Sequence, residues 1–150
     1  MNSAPSSTLS KTLRDDPEMA KTLQHAIDLN RDGRSAEAAR VLEKVVEHNP
    51  THPAPWWYLG GIYRVELKRP LEALACYQKA VEAGPKSERA SLGLFHTLWE
   101  LDRFDDALEE IKRFQLLTNW SCEDYLKIMD EIKEKWLDSP KSTKKAKTKR

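Results

Sequence analysis

The sequence predicts an all-α fold: an α-solenoid of three helix–turn–helix repeats closed by a C-terminal capping helix. Three observations predict it. From about residue 16 onward every stretch carries apolar residues at helical spacing, and no segment alternates as a strand would. Helix stops recur at Gly33, Asn49-Pro50, Lys68-Arg69-Pro70, Gly84-Pro85, Asp102 and Thr118-Asn119. Residues at equivalent places in successive helices return every 34 or 35 positions. Composition agrees. The 150 residues suffice for one domain, and 39% hydrophobic with 33% charged residues is a helix-friendly balance. Only five glycines occur, which argues against a Gly-rich phosphate-binding fold, a barrel or a sandwich. No apolar run approaches the roughly 18 residues that span a bilayer.

The elements follow in order. Residues 1–15 form an aperiodic N-terminal arm rich in Ser and Thr, without the apolar core of a secretory signal, and are expected to be disordered. Asp16-Pro17-Glu18 then opens the first helix with a capping residue, a proline suited to the first turn, and an acid favoured by the helix dipole. Helices are predicted near 17–31, 36–48, 54–66, 70–83, 88–101, 104–117 and 122–137. They group into repeats at about 19–52, 53–87 and 88–121 within a domain of residues 16–138. The last helix places Cys122, Tyr125, Leu126, Met129, Ile132 and Trp136 on one face, as a lid for the last pair requires. Residues 139–150 form a basic tail, also expected to be disordered. Its six bases leave 19 of the 25 Lys and Arg against 24 acids, so the body is net acidic. A nucleic-acid partner is therefore not expected. The tail alone can touch phosphates, and it reads as a solubilising end or a localisation signal.

The repeat is carried by named residues. Ala38, Ala73 and Ala107 align in the second helices, with Leu42, Tyr77 and Ile111 and then Val45, Ala80 and Phe114 at the same steps. Leu29, Tyr63 and Leu98 align in the first helices, as do Ala26, Gly60 and Phe95. The order of the 34 and 35 steps reverses between the two sets, which places one extra residue between Tyr63 and Ala73, most simply within Glu66–Pro70. Trp56, Leu59, Gly60 and Tyr63, followed by Ala73, Tyr77, Ala80 and Pro85, resemble the tetratricopeptide repeat (TPR) pattern with the turn lengthened. The first and third copies are more degenerate, as array ends often are. The resemblance covers about residues 19–119 and implies a short right-handed superhelical array.

Catalytic chemistry has little to stand on. No H-E-x-x-H, C-x-x-C, G-x-S-x-G or phosphate-binding loop occurs. His48 and His52 are separated by a helix-breaking Asn49-Pro50, and His25 reads as a packing residue. Asp15-Asp16, Asp105-Asp106 and Glu109-Glu110 read as solvated charge. Cys76 and Cys122 read as small hydrophobes in a reducing, cytoplasmic setting. No enzyme activity, cofactor or metal is expected, and self-association through an apolar groove stays open.

The resemblance instead implies a surface. In such arrays the first helix of each pair lines a concave groove. By register that lining is Leu23, Ile27 and Asn30, then Trp57, Gly61 and Arg64, then Leu92, His96 and Trp99, with Arg31 and Arg89 at the margins. Trp and Arg are common binding hot spots. The expected function is a non-catalytic module that holds a peptide or partner protein with apolar and acidic groups. Trp57 and Trp99 are equally open to packing against neighbouring helices. Ile27 and Gly61 stand where the family's chaperone-tail binders carry asparagines, which argues against that role. The alternative function is a chaperone of a secreted protein, or an immunity protein neutralising a toxin through its outer surface.

Overall fold

The computed structural model describes residues 16–137, and everything below concerns those residues. The expectations for residues 1–15 and 139–150, and the placement of the Trp136 side chain, lie outside them. Seven helices run antiparallel in succession: α1 Pro17–Arg31, α2 Ser35–His48, α3 Pro53–Gly61, α4 Pro70–Ala83, α5 Glu88–Glu100, α6 Phe104–Leu117 and α7 Glu123–Leu137. No strand occurs among the described residues, and no helix there is long and apolar enough to cross a membrane. Caps fix the starts. The Asp16 carboxylate accepts the Met19 N–H at 3.0 Å, His52 Nδ1 accepts that of Ala54 at 3.3 Å, and Ser87 Oγ accepts that of Ala90 at 3.3 Å.

The extra residue is absorbed in a widened helical turn that overlaps the start of the segment assigned to it from sequence, Glu66–Pro70. The chain leaves α3 through a π-helical turn, Ile62–Glu66, closed by Leu67 N–H on the Ile62 carbonyl at 3.0 Å. The turn after it matches the other two repeats. Gly33, Lys68 and Asp102 all take the left-handed conformation, with φ of 82°, 54° and 59°. The residue after each is an arginine that pairs with an acid three positions on: Arg34 with Glu37, Arg69 with Glu72, and Arg103 with Asp106. The Leu29 carbonyl accepts from Arg34 N–H and that of Leu98 from Arg103 N–H, five residues apart. That of Tyr63 accepts from Arg69 N–H, six apart. The surplus residue therefore lies between Tyr63 and Lys68, because widening one helical turn leaves both neighbouring helix pairs in register.

Packing follows the small-against-large logic of the repeat. Ala38, Ala73 and Ala107 are all fully buried, so the three register-equivalent sites share one environment. Buried Tyr77 on α4 lies between α3 and α5, where the chain has removed its side chains. A Cβ on Gly60 would fall 3.0 Å from the ring, and one on Gly93 only 2.0 Å. Between the first two pairs, the Trp56 indole N–H donates to the Pro50 carbonyl at 2.8 Å.

The capping helix is held by polar contacts as well as by its apolar face. Buried Tyr125 packs edge-on against Phe95 and Phe114. Its hydroxyl lies 2.7 Å from Ser91 Oγ, which donates to Glu110 Oε2 at 2.6 Å. Arg113 donates to both Glu110 oxygens, at 2.8 and 2.6 Å. Glu110 is therefore not solvated charge but a buried acceptor. Gln115, also buried, donates to the Cys122 carbonyl at 3.1 Å and accepts the Cys122 N–H at 3.2 Å.

Candidate functional site

The first helices of the pairs face one hollow of about 420 Å³. Its walls are Ile27 and Asn30 from α1, Trp57, Tyr58, Gly61 and Arg64 from α3 and its π-helical extension, and Arg89, Leu92, Gly93 and His96 from α5. Tyr77 closes the floor, and its hydroxyl lies 3.5 Å from the point a Cβ on Gly61 would occupy. One wall is aromatic and cationic together. The Trp57 and Tyr58 rings stack with centroids 4.0 Å apart, and the Arg89 guanidinium lies over Trp57 at 5.0 Å. Arg64 spends its Nε on Glu100 at 3.2 Å, a contact linking α5 to the turn after α3. Arg89 has no ion-pair partner among the described residues, so the hollow keeps positive character. Burial lowers the pKa of His96, and the Arg64 charge lowers it further, against the pull of Glu100 and Asp124. His96 is thus neutral at neutral pH.

Of the residues expected in the lining, Ile27, Asn30, Trp57, Gly61, Arg64, Arg89, Leu92 and His96 come together here. Leu23 does not: it is 3% exposed and belongs to the core. Register fixes the direction in which a side chain leaves its helix, not how much neighbouring chain covers it. Trp99 also falls outside the lining. It packs tilted on Phe95 and edge-on against Phe104, with centroids at 5.6 and 4.7 Å, at the turn of the third pair. Arg31 is exposed and paired with Asp28. The sequence reading missed Tyr58 and Gly93 on the walls and Tyr77 on the floor. Tyr77 sits on a second helix and enters only because the two glycines above it carry no side chain. The available signal was glycine at positions 60 and 93, on the two first helices that flank the one carrying Tyr77.

His25, His48 and Cys76 do not line the hollow. His25 is exposed rather than packed. The His48 ring nitrogen Nδ1 bonds its own helix at the Lys44 carbonyl, 2.8 Å away. Burial pushes the Cys76 thiol up to about 12, so no thiolate nucleophile forms there. No group of three His, Cys, Asp or Glu among the described residues is placed to hold a metal ion.

Comparisons with known proteins agree with this architecture. Two family profiles, both described as tetratricopeptide repeat, match residues 23–88 and 64–116. A search of curated proteins returns no match. Among solved structures, the chain is similar to the first TPR of Spaghetti (RPAP3) bound to the HSP90 peptide SRMEEVD, with TM-score 0.66 and 16% identity. That match covers 77% of this chain and 93% of the other. It is also similar to MamA 41-end from Desulfovibrio magneticus RS-1, with TM-score 0.59 and 19% identity over 67% of this chain and 56% of that one. The MamA RS-1 ArsTM double mutant gives 0.62 and 20% over 78% and 66%. At such identities the structures speak for the fold alone, whereas the two profiles together span 23–116, more than half of the sequence, in the register that the buried alanines and the three left-handed turns repeat: the chain belongs to the tetratricopeptide repeat family.

Proposed function

We propose that this chain is a non-catalytic interaction module that holds a peptide, or an extended segment of a partner protein, in the hollow between its first three odd-numbered helices. The observation that carries the reading is the lining itself: Trp57, Tyr58, Leu92 and Ile27 beside Arg64, Arg89 and His96. Apolar surface of this kind gives affinity when covered, and the cations choose acidic partners, chiefly through encounter rate and specificity. The RPAP3 neighbour holds a peptide, SRMEEVD, that mixes apolar and acidic residues. A ligand here would need the same mixture, although Ile27 and Gly61 in the asparagine places argue against a terminal-acid clamp. A groove of three repeats offers a standard-sized or smaller interface.

The test is recovery of a native partner by the full chain and by Trp57→Ala and Arg64→Glu variants. Both variants are expected to keep the helical circular-dichroism spectrum and to lose the partner. Undiminished recovery by both would assign binding to another surface.

A further inference from the structure

We propose that Gly61 forms the floor of a socket for one bulky apolar side chain, preferably aromatic, of an acidic peptide, and so sets the ligand specificity of the groove. This rests on the groove reading above and adds to it the residue that shapes the site.

Gly60 and Gly93 are explained by packing, since a Cβ at either would crowd the Tyr77 ring, at 3.0 and 2.0 Å. Gly61 has no such reason. Its backbone is right-handed helical, with φ −61° and ψ −44°, a conformation open to every L-residue. A Cβ there would meet only the Tyr77 hydroxyl, at an ordinary 3.5 Å. Alanine would fit and would favour the helix, because glycine inside a helix carries the larger entropy loss.

What glycine does supply is space. The register-equivalent positions on the other walls carry Ile27 and His96, so at this level of the groove only the middle wall is missing a side chain. Trp57 stands one turn before the gap, and Arg64 three residues after it, on the same helical face. A side chain entering there would lie against the Trp57–Tyr58 stack, over the Tyr77 hydroxyl. Its neighbours along the peptide would come within reach of Arg89 and Arg64. The two guanidinium groups disfavour a basic neighbour, so the flanking residues should be acidic.

The probes are short fluorescein-labelled peptides with a central Trp or Ala between paired glutamates, and a Trp peptide flanked by lysines, titrated into the full chain by fluorescence polarisation. The Trp–glutamate peptide is expected to bind at least about tenfold more tightly than either control, the discrimination a hydrophobic pocket gives. Gly61→Ala is expected to raise the melting temperature yet weaken the Trp peptide, and Gly61→Leu to weaken it by about tenfold or more. Should Gly61→Leu fail to fold, Gly61→Ala decides. Equal binding of the Trp and Ala peptides, no binding of either glutamate peptide, or indifference to Gly61→Ala overturns the socket. The Trp57→Ala and Arg64→Glu recoveries judge the groove separately, so the socket can fail while the groove stands.

Discussion

At the scale of single residues, His52 couples the fold to pH. Its Nδ1 caps α3 by accepting the Ala54 N–H, while its Nε2 is buried without a partner. Burial lowers its pKa, against a raising influence from Asp16. Protonation would consume the capping lone pair and place a cation at a helix N-terminus, where the dipole opposes it. Because the folded-state pKa is the lower one, the unfolded chain binds the proton more readily. The stabilisation is complete above the unfolded value near 6.5 and is lost as pH falls below it. His96 is shifted the same way and adds to the slope. Melting temperatures should therefore decline from pH 7.5 to 5.5, most steeply below the unfolded-state value near 6.5. His52→Asn, which caps without titrating, should flatten the decline, and an unchanged profile would remove His52 from this role. Glu110 teaches a different lesson at the same scale. From sequence it reads as one of two adjacent surface acids, because a charge pattern does not reveal a serine and a tyrosine brought to it from helices before and after. Trp57, Arg64 and His96 were legible because register places them on one face of successive first helices, whereas Tyr58, one residue off that face, was not. Leu23 and Trp99 were not, because coverage by neighbours is a tertiary property.

At the scale of elements, helix boundaries came through closely, since prolines, capping residues and left-handed turn positions are local signals. The insertion was detected and bracketed from the broken period, but not its form, because a π-helical turn has no apolar signature of its own. The docking of α7 was only half visible. Its apolar face was readable at Cys122, Tyr125, Met129 and Ile132 but not at Leu126, which is exposed, whereas Gln115 acts through the main chain of Cys122, which any residue type could provide. That pairing yields a prediction. Gln115→Leu keeps the volume but leaves the Cys122 N–H buried without a partner, at a cost of about 1–3 kcal/mol, while the Cys122 carbonyl keeps the Leu126 N–H at 3.2 Å. The expected loss is local. Amide exchange should accelerate throughout α7 and in the turn before it, while α3 and α4 stay protected. Equal acceleration everywhere would mean that the amide serves the whole fold rather than the docking of its last helix.

At the scale of the whole molecule, stacked pairs contact only their neighbours, so stability should be graded along the array rather than uniform. The middle pair is covered on both sides. Tyr77 is gripped between α3 and α5, and Ala73 and Ala80 are wholly buried beside it. Among the described residues, the outer face of the first pair carries an open hollow lined by Met19, Val41 and Val45 together with charged side chains. The last pair depends on α7 and its polar contacts. Native-state hydrogen exchange should therefore give the greatest protection in α3, α4 and α5 and the least in α1 and α7. Denaturant should lower protection from both ends inward. The arrangement also bears on binding. The hollow is built from α1, α3 and α5, so a ligand seated there bridges the less stable first pair to the stable centre. A ligand that binds only the assembled wall stabilises it by mass action. The Trp–glutamate peptide should thus slow exchange in α1 more than in α7, even though both are terminal helices. Equal slowing at both ends would indicate a ligand that grips the array elsewhere, and slowing of α7 alone would move the site to the capping helix.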